Sequence, residues 1–265
     1  MLISILITNY NKSKYLNKCI TSCLNQNYKN FEIVILDNFS TDGSQLLLNR
    51  FAKKCILVKK KRVSEYSAVN QINLIKEGIR YCKGKVICLL DSDDYFFKSK
   101  LKVIKNFFFN NDKLSIIFDV PIIKKNNYYY KKKIKYFYNK NTWPTIINTS
   151  CISIKKVLLQ KLIKNNFLDN YPLLEVDFRI NAICRILNVE YKIIDENLTV
   201  YNVDASEIIS KLSKYTRAWW KKRLQAHSFM IDKLKQRGKC YNSFLDHNIT
   251  RLVNFCITFF GKKSL

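Results

Sequence analysis

Short apolar runs, each closed by polar residues, punctuate the first third of the chain and set its expected architecture. Leu2–Thr8 (LISILIT), Phe31–Leu36 (FEIVIL), Cys55–Val58 (CILV) and Val86–Leu90 (VICLL) are nearly continuous in hydrophobicity rather than alternating. Runs this short and this uniform read as strands covered on both faces, as in a parallel sheet. Between them the period changes. Tyr15, Leu16, Cys19, Ile20, Cys23 and Leu24 recur at helical spacing within Lys14–Gln26, and Ser44–Lys53 and Ala68–Tyr81 carry two further helices. Strand and helix taking turns predict βαβ units, hence an α/β fold with a mostly parallel sheet flanked by helices.

Beyond Asp94 the rhythm loosens. The pattern predicts a helix over Leu101–Phe109, a strand over Leu114–Val120 and another over Asn148–Ile154. Between the last two lies KKNNYYYKKKIKYFYNKN (residues 124–141), where lysines and aromatics around Asn126-Asn127 suit an exposed hairpin or flap. A helix over Leu174–Leu187, strands over Tyr191–Ile194 and Leu198–Val203, a long basic helix over Ile208–Leu234 and a helical tail from Cys240 complete the reading.

Composition narrows the function classes. With 265 residues, 48% of them hydrophobic, the chain can bury a sizeable core. The net charge of +27 invites a nucleic-acid reading. The excess is spread along the whole chain, however, and lysine is abundant together with Ile, Asn, Tyr and Phe, all served by AT-rich codons. Nucleic acid is therefore not an expected partner; an anionic membrane surface or a phosphate-bearing acceptor suits the charge better. No apolar stretch reaches the roughly 18–20 residues of a membrane span, the nearest being Leu252–Phe260. The opening LISILIT carries no basic leader or cleavage pattern, so no signal peptide is expected. Nine scattered cysteines without CxxC spacing imply reduced, buried thiols, no zinc site and a cytoplasmic location.

The chemistry concentrates at three strand ends. The first strand closes in Thr8-Asn9-Tyr10-Asn11, the second in Asp37-Asn38-Phe39-Ser40-Thr41-Asp42-Gly43, and the fourth in Asp91-Ser92-Asp93-Asp94. Ends of parallel strands converge on one edge of the sheet, where ligands of open α/β sheets bind. A tyrosine face can stack on a base, and Asp37 or Asn38 can bond a base edge or a ribose hydroxyl. Crowded carboxylates call for a cation, and hard divalent ions prefer oxygen ligands. Asp93, with such an ion, can then hold a diphosphate. A dinucleotide-dependent oxidoreductase is disfavoured, since no GxGxxG follows a strand and the chain has five glycines. Nucleotidyl transfer usually calls for a glycine-rich phosphate loop, and TNYNKSKY has none. A nucleic-acid module built on the Tyr/Lys segment leaves the three aligned motifs unexplained.

Over ILITNYNKSKYLNKCITSCLNQNYKNFEIVILDNFSTDGS, and at the expected distance over GKVICLLDSDD, the chain resembles glycosyltransferase family 2. The resemblance is dense over residues 1–105 and looser to about residue 205. It implies a GT-A fold, with residues 1–205 as catalytic domain. Residues 1–105 would form its nucleotide-sugar half and 106–205 its acceptor half, followed by a basic helical C-terminal extension over 206–265. It implies an inverting transfer of a sugar from a nucleotide diphosphate donor, a UDP-sugar first, to a hydroxyl of a glycan or lipid-linked acceptor in cell-surface polysaccharide synthesis. Mn²⁺ or Mg²⁺ would assist. Thr8 and Tyr10 would line the nucleobase pocket, and Asp37 and Asn38 would contact base and ribose. Asp91 would face ribose or phosphate, with Asn9 and Ser92 also among the donor-binding residues. Asp93 would hold the metal, with Asp91 the second candidate. Many relatives carry a second aspartate where this chain has Asn38, and polar donor-binding residues where it has Asn70, Gln71 and Asn73.

In relatives the base that deprotonates the acceptor is the aspartate of a Glu-Asp pair before a helix. Leu174-Glu175-Val176-Asp177-Phe178 makes Asp177 the expected base here, with Glu175 second and Val176 in place of the usual glutamate. Tyr201–Ser206 stands where relatives place a loop over the diphosphate, offering Tyr201, Asn202 and Asp204. In Lys214–His227, Trp219 and Trp220 are expected to pack the helix onto the catalytic domain, in preference to a peripheral contact with the inner face of the membrane. His227 and His247 are expected to be structural.

Overall fold

The computed structural model describes residues 1–131, 144–203 and 214–260. The first third follows the expected alternation: β1 (Ile3–Asn9), α1 (Ser13–Leu24), β2 (Phe31–Asp37), α2 (Ser44–Arg50), β3 (Ile56–Lys59), α3 (Ser67–Gly78) and β4 (Val86–Asp91). There follow β5 (Tyr95–Phe96), α4 (Lys100–Asn110), β6 (Ile116–Asp119), β7 (Ile122–Lys125), β8 (Tyr128–Lys131), β9 (Ile152–Lys155), α5 (Lys156–Lys164), α6 (Val176–Ile186), β10 (Tyr191–Ile194) and β11 (Thr199–Asn202). Two helices, α7 (Arg217–Lys235) and α8 (Phe244–Phe260), close the described chain.

Seven strands build the main sheet in the order β10-β6-β9-β4-β1-β2-β3. All neighbours are parallel except β9, which runs antiparallel to both β4 and β6. Side chains alternate across a strand, so Ile3, Ile5 and Ile7 meet α1, α2 and α4 on one face. Leu6, Val34 and Leu36 face the opposite way, toward α3, α5, α6 and α7. Both faces are covered, which is why the strands are apolar throughout. Gly84 lets β4 start against β1: a Cβ there would lie 2.5 Å from the Ser4 backbone nitrogen. A smaller sheet, β5-β11-β7-β8, stands beside the main one.

The pairing of β1 sets the site. Its register places Asn9 opposite Asp37 of β2 and Thr8 opposite Asp91 of β4. The first turns of the three strand-end motifs therefore start level, on one edge.

Several boundaries differ from the expectation. Asn126 (φ 48°) and Asn127 (φ 64°) form the two-residue turn of the β7–β8 hairpin, with Lys125 opposite Tyr128. Asparagine tolerates this left-handed conformation. The rest of the Lys/Tyr segment, from residue 132, lies outside the described residues. The strand expected over Asn148–Ile154 begins only at Ile152, because Thr149–Cys151 forms a 3₁₀ turn in which Cys151 N donates to Asn148 O (2.9 Å). The pattern of the sequence does not predict helix α5, which at nine residues is too short for its period to stand out after β9. The helix expected from Ile208 begins in the described chain at Arg217. Tyr215 sits at φ 69°, and Thr216 Oγ1 caps the helix by accepting from Trp219 N (3.3 Å). Residues 208–213 and Asp204 lie outside the described residues.

Helix α7 packs through Ala226, Phe229, Met230 and Leu234, not through its tryptophans. Trp219 and Trp220 are half-buried and pack on each other, edge to face at 4.8 Å. His227 is buried beneath α8, its Nδ1 bonded to Tyr241 Oη, and burial pushes its pKa down to about 4. All nine cysteines are free and seven are buried; burial pushes the Cys55 thiol up to about 11 and Cys82 to about 12. Among the described residues no helix is long and apolar enough to cross a membrane.

Candidate active site

At the end of β2 the donors find acceptors, and only the buried Asn9 Oδ1 of this cluster lacks a partner. Asp37 is buried, and its Oδ1 accepts from Asn9 Nδ2 (2.7 Å) and Ser40 Oγ (2.6 Å) while its Oδ2 accepts from Ser40 N (3.0 Å). Asn11 N donates to Ser40 Oγ (2.9 Å), and Thr41 N to Asn11 Oδ1 (2.8 Å), so the loops after β1 and β2 are stitched together. Asn38 is also buried. Its Nδ2 donates to Lys60 O (2.7 Å), tying the end of β2 to the segment after β3. An aspartate would offer no donor to that carbonyl, so asparagine suits this position. Tyr10 stays exposed, with the Arg62 guanidinium 4.3 Å from its ring centre.

At the end of β4 the balance is different. Asp91 Oδ1 accepts from Thr8 Oγ1 (3.1 Å) and Gln71 Nε2 (2.5 Å), and Asp91 N donates to Ser150 Oγ (3.0 Å). Burial pushes its carboxyl up to about 7, and the charges of Asp93 and Asp177 add to the push. Asp94 is buried and also raised well above the carboxylate range, by burial first and then by Asp93 and Asp91. Its oxygens hold the second sheet: Oδ2 accepts from Ser150 Oγ (2.5 Å) and Oδ1 from Asn202 N (2.8 Å). Asp93 remains partly exposed, with Lys12 Nζ 3.1 Å from its Oδ2. Ser92 is buried and its N donates to Thr8 O (3.1 Å).

This donor set fits a hard divalent cation. Asp91 and Asp93 offer carboxylate oxygens whose mutual repulsion a cation would relieve, and magnesium-type sites commonly take one or two carboxylates plus substrate phosphates. Among the described residues no group of three or more Asp, Glu, His or Cys ligands exists, so the remaining ligands would come from donor phosphates and water.

The two carboxylates at the start of α6 are sorted by their neighbours. Asp177 stands in the first turn of α6, close enough to Asp91 to raise its pKa. Asn181 Nδ2 donates to Asp177 O (2.7 Å) and Ile147 O (2.9 Å), anchoring that turn. Glu175, the helix N-cap residue, is paired with Lys222 of α7. The loop before it is held by Arg179, fully buried, which donates to Leu174 O (3.0 Å), Asp169 O (3.0 Å), Asn170 O (2.6 Å) and Tyr171 O (2.7 Å).

Several residues of this site carry no clear sequence signal. Ser150 reaches Asp94 and Asp91 from more than fifty positions away. Lys100, fully buried, pairs with Asp119 (2.8 Å) and donates to Ser150 O (2.9 Å) and Thr199 Oγ1 (2.7 Å), joining α4, β6 and β11 behind the acidic cluster. Lys12 was legible in principle, as a cation in the loop that leaves β1. Tyr201 and Asn202 end β11, and Asn202 meets the acidic cluster through its backbone.

Comparison with known proteins sets the chain among glycosyltransferases. An uncharacterized glycosyltransferase of Haemophilus influenzae is 39% identical over 113 residues, 42% of this chain and 43% of that protein. The Escherichia coli UDP-Glc:alpha-D-GlcNAc-diphosphoundecaprenol beta-1,3-glucosyltransferase WfaP is 34% identical over 105 residues, 38% of either chain. The chain thus spans less than half the length of each. Staphylococcus aureus TarS 1-349, solved with UDP-GlcNAc, superposes with a TM-score of 0.63 over 100% of this chain and 76% of its own. At 14% identity that likeness is one of fold. The family model for glycosyl transferase family 2 matches residues 4–167, more than half of the chain, and the chain belongs to that family.

Proposed function

We propose that the chain is an inverting, metal-assisted glycosyltransferase that moves a hexose from a UDP-sugar to a hydroxyl of a lipid-linked glycan, with Asp177 as general base. The observation that supports this reading is that Asp93, just past β4, and Asp177, from α6, both add to the upward push on the buried Asp91 carboxyl, at the edge where β1 and β2 present Thr8, Asn9 and Asp37. The relatives favour this donor and acceptor. WfaP and WfgD are named for transfer from UDP-Glc to GlcNAc-diphosphoundecaprenol, and TarS is solved with UDP-GlcNAc. A mannosyltransferase of Pyrobaculum calidifontis, at TM-score 0.58, is solved with GDP-Man and Mn²⁺.

Each residue has a task in this reading. The exposed Tyr10 ring, with Arg62 behind it, offers a face for the base, and the Thr8–Asn9 and Asp37–Asn38 pairs shape the floor beneath base and ribose. Asp91 and Ser92 face the ribose and diphosphate. Asp93, with Asp91, would hold a divalent ion, which when bound supplies positive charge to the diphosphate leaving group. Asp177 takes the proton of the acceptor hydroxyl as its oxygen bonds to the anomeric carbon. The bond from that carbon to the diphosphate breaks on the opposite side, so the configuration inverts and the nucleoside diphosphate leaves. Residues 1–105 serve the donor and 106–205 the acceptor. The free, buried cysteines suit the reducing cytoplasm.

A thermal-shift screen against UDP, GDP, dTDP and CMP, each with Mn²⁺ or EDTA, tests the reading. A ligand at about a hundred times its Kd stabilises by about 2.7 kcal/mol, several degrees for a chain of this size. The expected result is a shift with UDP that requires the metal. A shift with RNA or DNA and none with any nucleotide overturns the proposal.

A further inference from the structure

The C-terminal hairpin of α7 and α8 carries a surface that sugar transfer does not use. On α8, Leu245, Ile249, Leu252, Phe255 and Phe259 are between 48 and 77% exposed. Steps of three and four residues gather them on one side of the helix. The opposite side, with Thr250 and Asn254, is buried, and Asn254 Nδ2 donates to Trp220 O (3.0 Å) on α7. A helix that exposes this much apolar surface along one stripe is unusual for a surface left to water alone.

Charge around the stripe decides what covers it. Arg251 flanks it and is exposed. The Asn254–Trp220 contact brings the start of α7 beside the second half of α8, and there Lys214, Arg217 and Lys221 are exposed as well. Tyr215, 72% exposed, sits with Trp219 and Trp220 at ring distances of 5.4 and 6.3 Å, an aromatic cluster of the kind that settles at lipid headgroups. The one acidic residue of α8, Asp246, is neutralised by Arg223. Two copies of a chain bearing +27 repel each other, whereas the same charge draws the chain to anionic phosphates.

We infer that this face of the hairpin docks on an anionic lipid surface, with α8 lying in the plane of the interface. Its apolar stripe would enter the boundary between headgroups and acyl chains, about 5–10 Å deep, while Arg251 and the lysines and arginine at the start of α7 meet lipid phosphates. At 17 residues α8 is about 25 Å long and suited to lie flat rather than to span. The docked element is also tied to the acceptor side of the site, because Lys222 of α7 pairs with Glu175 two positions before Asp177. An acceptor carried on a lipid would then arrive on the side of the base. The docking itself rests on exposed groups and charge and does not depend on the sugar-transfer reading.

The test is co-sedimentation of the full chain, without nucleotide, with vesicles of phosphatidylcholine alone or of phosphatidylcholine with phosphatidylglycerol. Binding is expected only to the anionic vesicles and to weaken with salt. Leu252→Glu with Phe255→Glu should weaken it about a hundredfold or more, and Arg251→Glu with Lys221→Glu by at least about twentyfold. All four residues are exposed or on the outer side of the hairpin, so both variants should melt with the wild type and keep its UDP-induced shift. Wild-type chain that stays in the supernatant with both vesicles overturns the proposal, as does undiminished binding by the Leu252/Phe255 variant. Equal binding to both compositions removes the anionic-lipid assignment. A dimer in sedimentation velocity that the Leu252/Phe255 variant dissolves, with no vesicle binding, gives the face to a second copy instead.

Discussion

Two neighbouring strand ends of the same sheet use aspartate in opposite ways. At the end of β2, Asp37 is met by donors from Asn9 and Ser40, and both of its oxygens accept hydrogen bonds. At the end of β4, three acidic side chains stand within four positions, and burial with mutual repulsion holds Asp91 at about 7 and Asp94 well above the carboxylate range. The first is a scaffold: a buried carboxylate that accepts several hydrogen bonds welds two loops together. The second crowds carboxyl groups that burial and mutual repulsion push toward the protonated form, and a cation or phosphate-bound metal could stabilise their ionised form instead. Asp177, contributed by a distant helix, belongs electrostatically to this second group. The contrast separates residues that build the edge from residues left for chemistry.

The largest effect expected from breaking this contrast is at Asp177. Asp177→Asn should lower the rate of nucleoside diphosphate release on sugar transfer by about 10²–10⁴-fold, the usual worth of a general base, while UDP still raises the melting temperature as in the wild type. Transfer that survives the change moves the base to Glu175 or elsewhere.

Next comes the pH dependence of stability. Because the folded carboxyl of Asp91 is raised from its ordinary value to about 7, the folded chain keeps a proton that the unfolded chain has released between about pH 4 and pH 7. The stabilisation from this group is complete at the acid end of that window and is lost as pH rises through about 7. Urea unfolding from about pH 5 to pH 8 should therefore show stability falling with pH, and Asp91→Asn should flatten the slope by up to about 1.4 kcal/mol per pH unit. An unchanged slope would show that Asp91 ionises normally.

A smaller pair of effects compares the two strand ends directly. Asp37→Ala leaves Asn9 and Ser40 donors unpaired in a buried site and should cost about 2–3 kcal/mol in chemical denaturation. Asp93→Ala removes a repelled, partly exposed charge and should change stability by no more than about 0.5 kcal/mol, yet abolish the Mn²⁺-dependent UDP shift. Equal destabilisation by the two would erase the distinction between scaffold and ligand. Smallest of all is Lys12→Gln. Like Asp93→Ala it breaks the partly exposed Lys12–Asp93 pair and should change stability by no more than about 0.5 kcal/mol, but removing the ammonium from Asp93 should lower the Mn²⁺ concentration at which the UDP shift reaches half its size.

The strands and helices of the first third of the molecule, and the three motifs at one edge, can be read from the order of the residues alone. Burial on both faces of a parallel sheet leaves continuous apolar runs, and the helical period is visible over a few turns in Tyr15 to Leu24. Asn126-Asn127 announced a hairpin because left-handed turns select asparagine. Helix α5 escapes the pattern because Val157, Leu158 and Leu159 make only a short apolar run, and such a run does not tell strand from helix. The packing expected of Trp219 and Trp220 fell instead to Phe229, Met230 and Leu234, since a helix chooses its buried face from the surface opposite it. Above all, only the tertiary structure decided which acidic side chains are satisfied. Asp37 finds its partners within about thirty residues, but Asp94 meets Ser150 and the backbone of Asn202, Lys100 meets Asp119 and Thr199, and Asp177 meets the field of Asp91. Period and burial are local properties that a sequence displays, whereas the ionisation and reach of a carboxylate depend on groups that only the folded chain brings beside it.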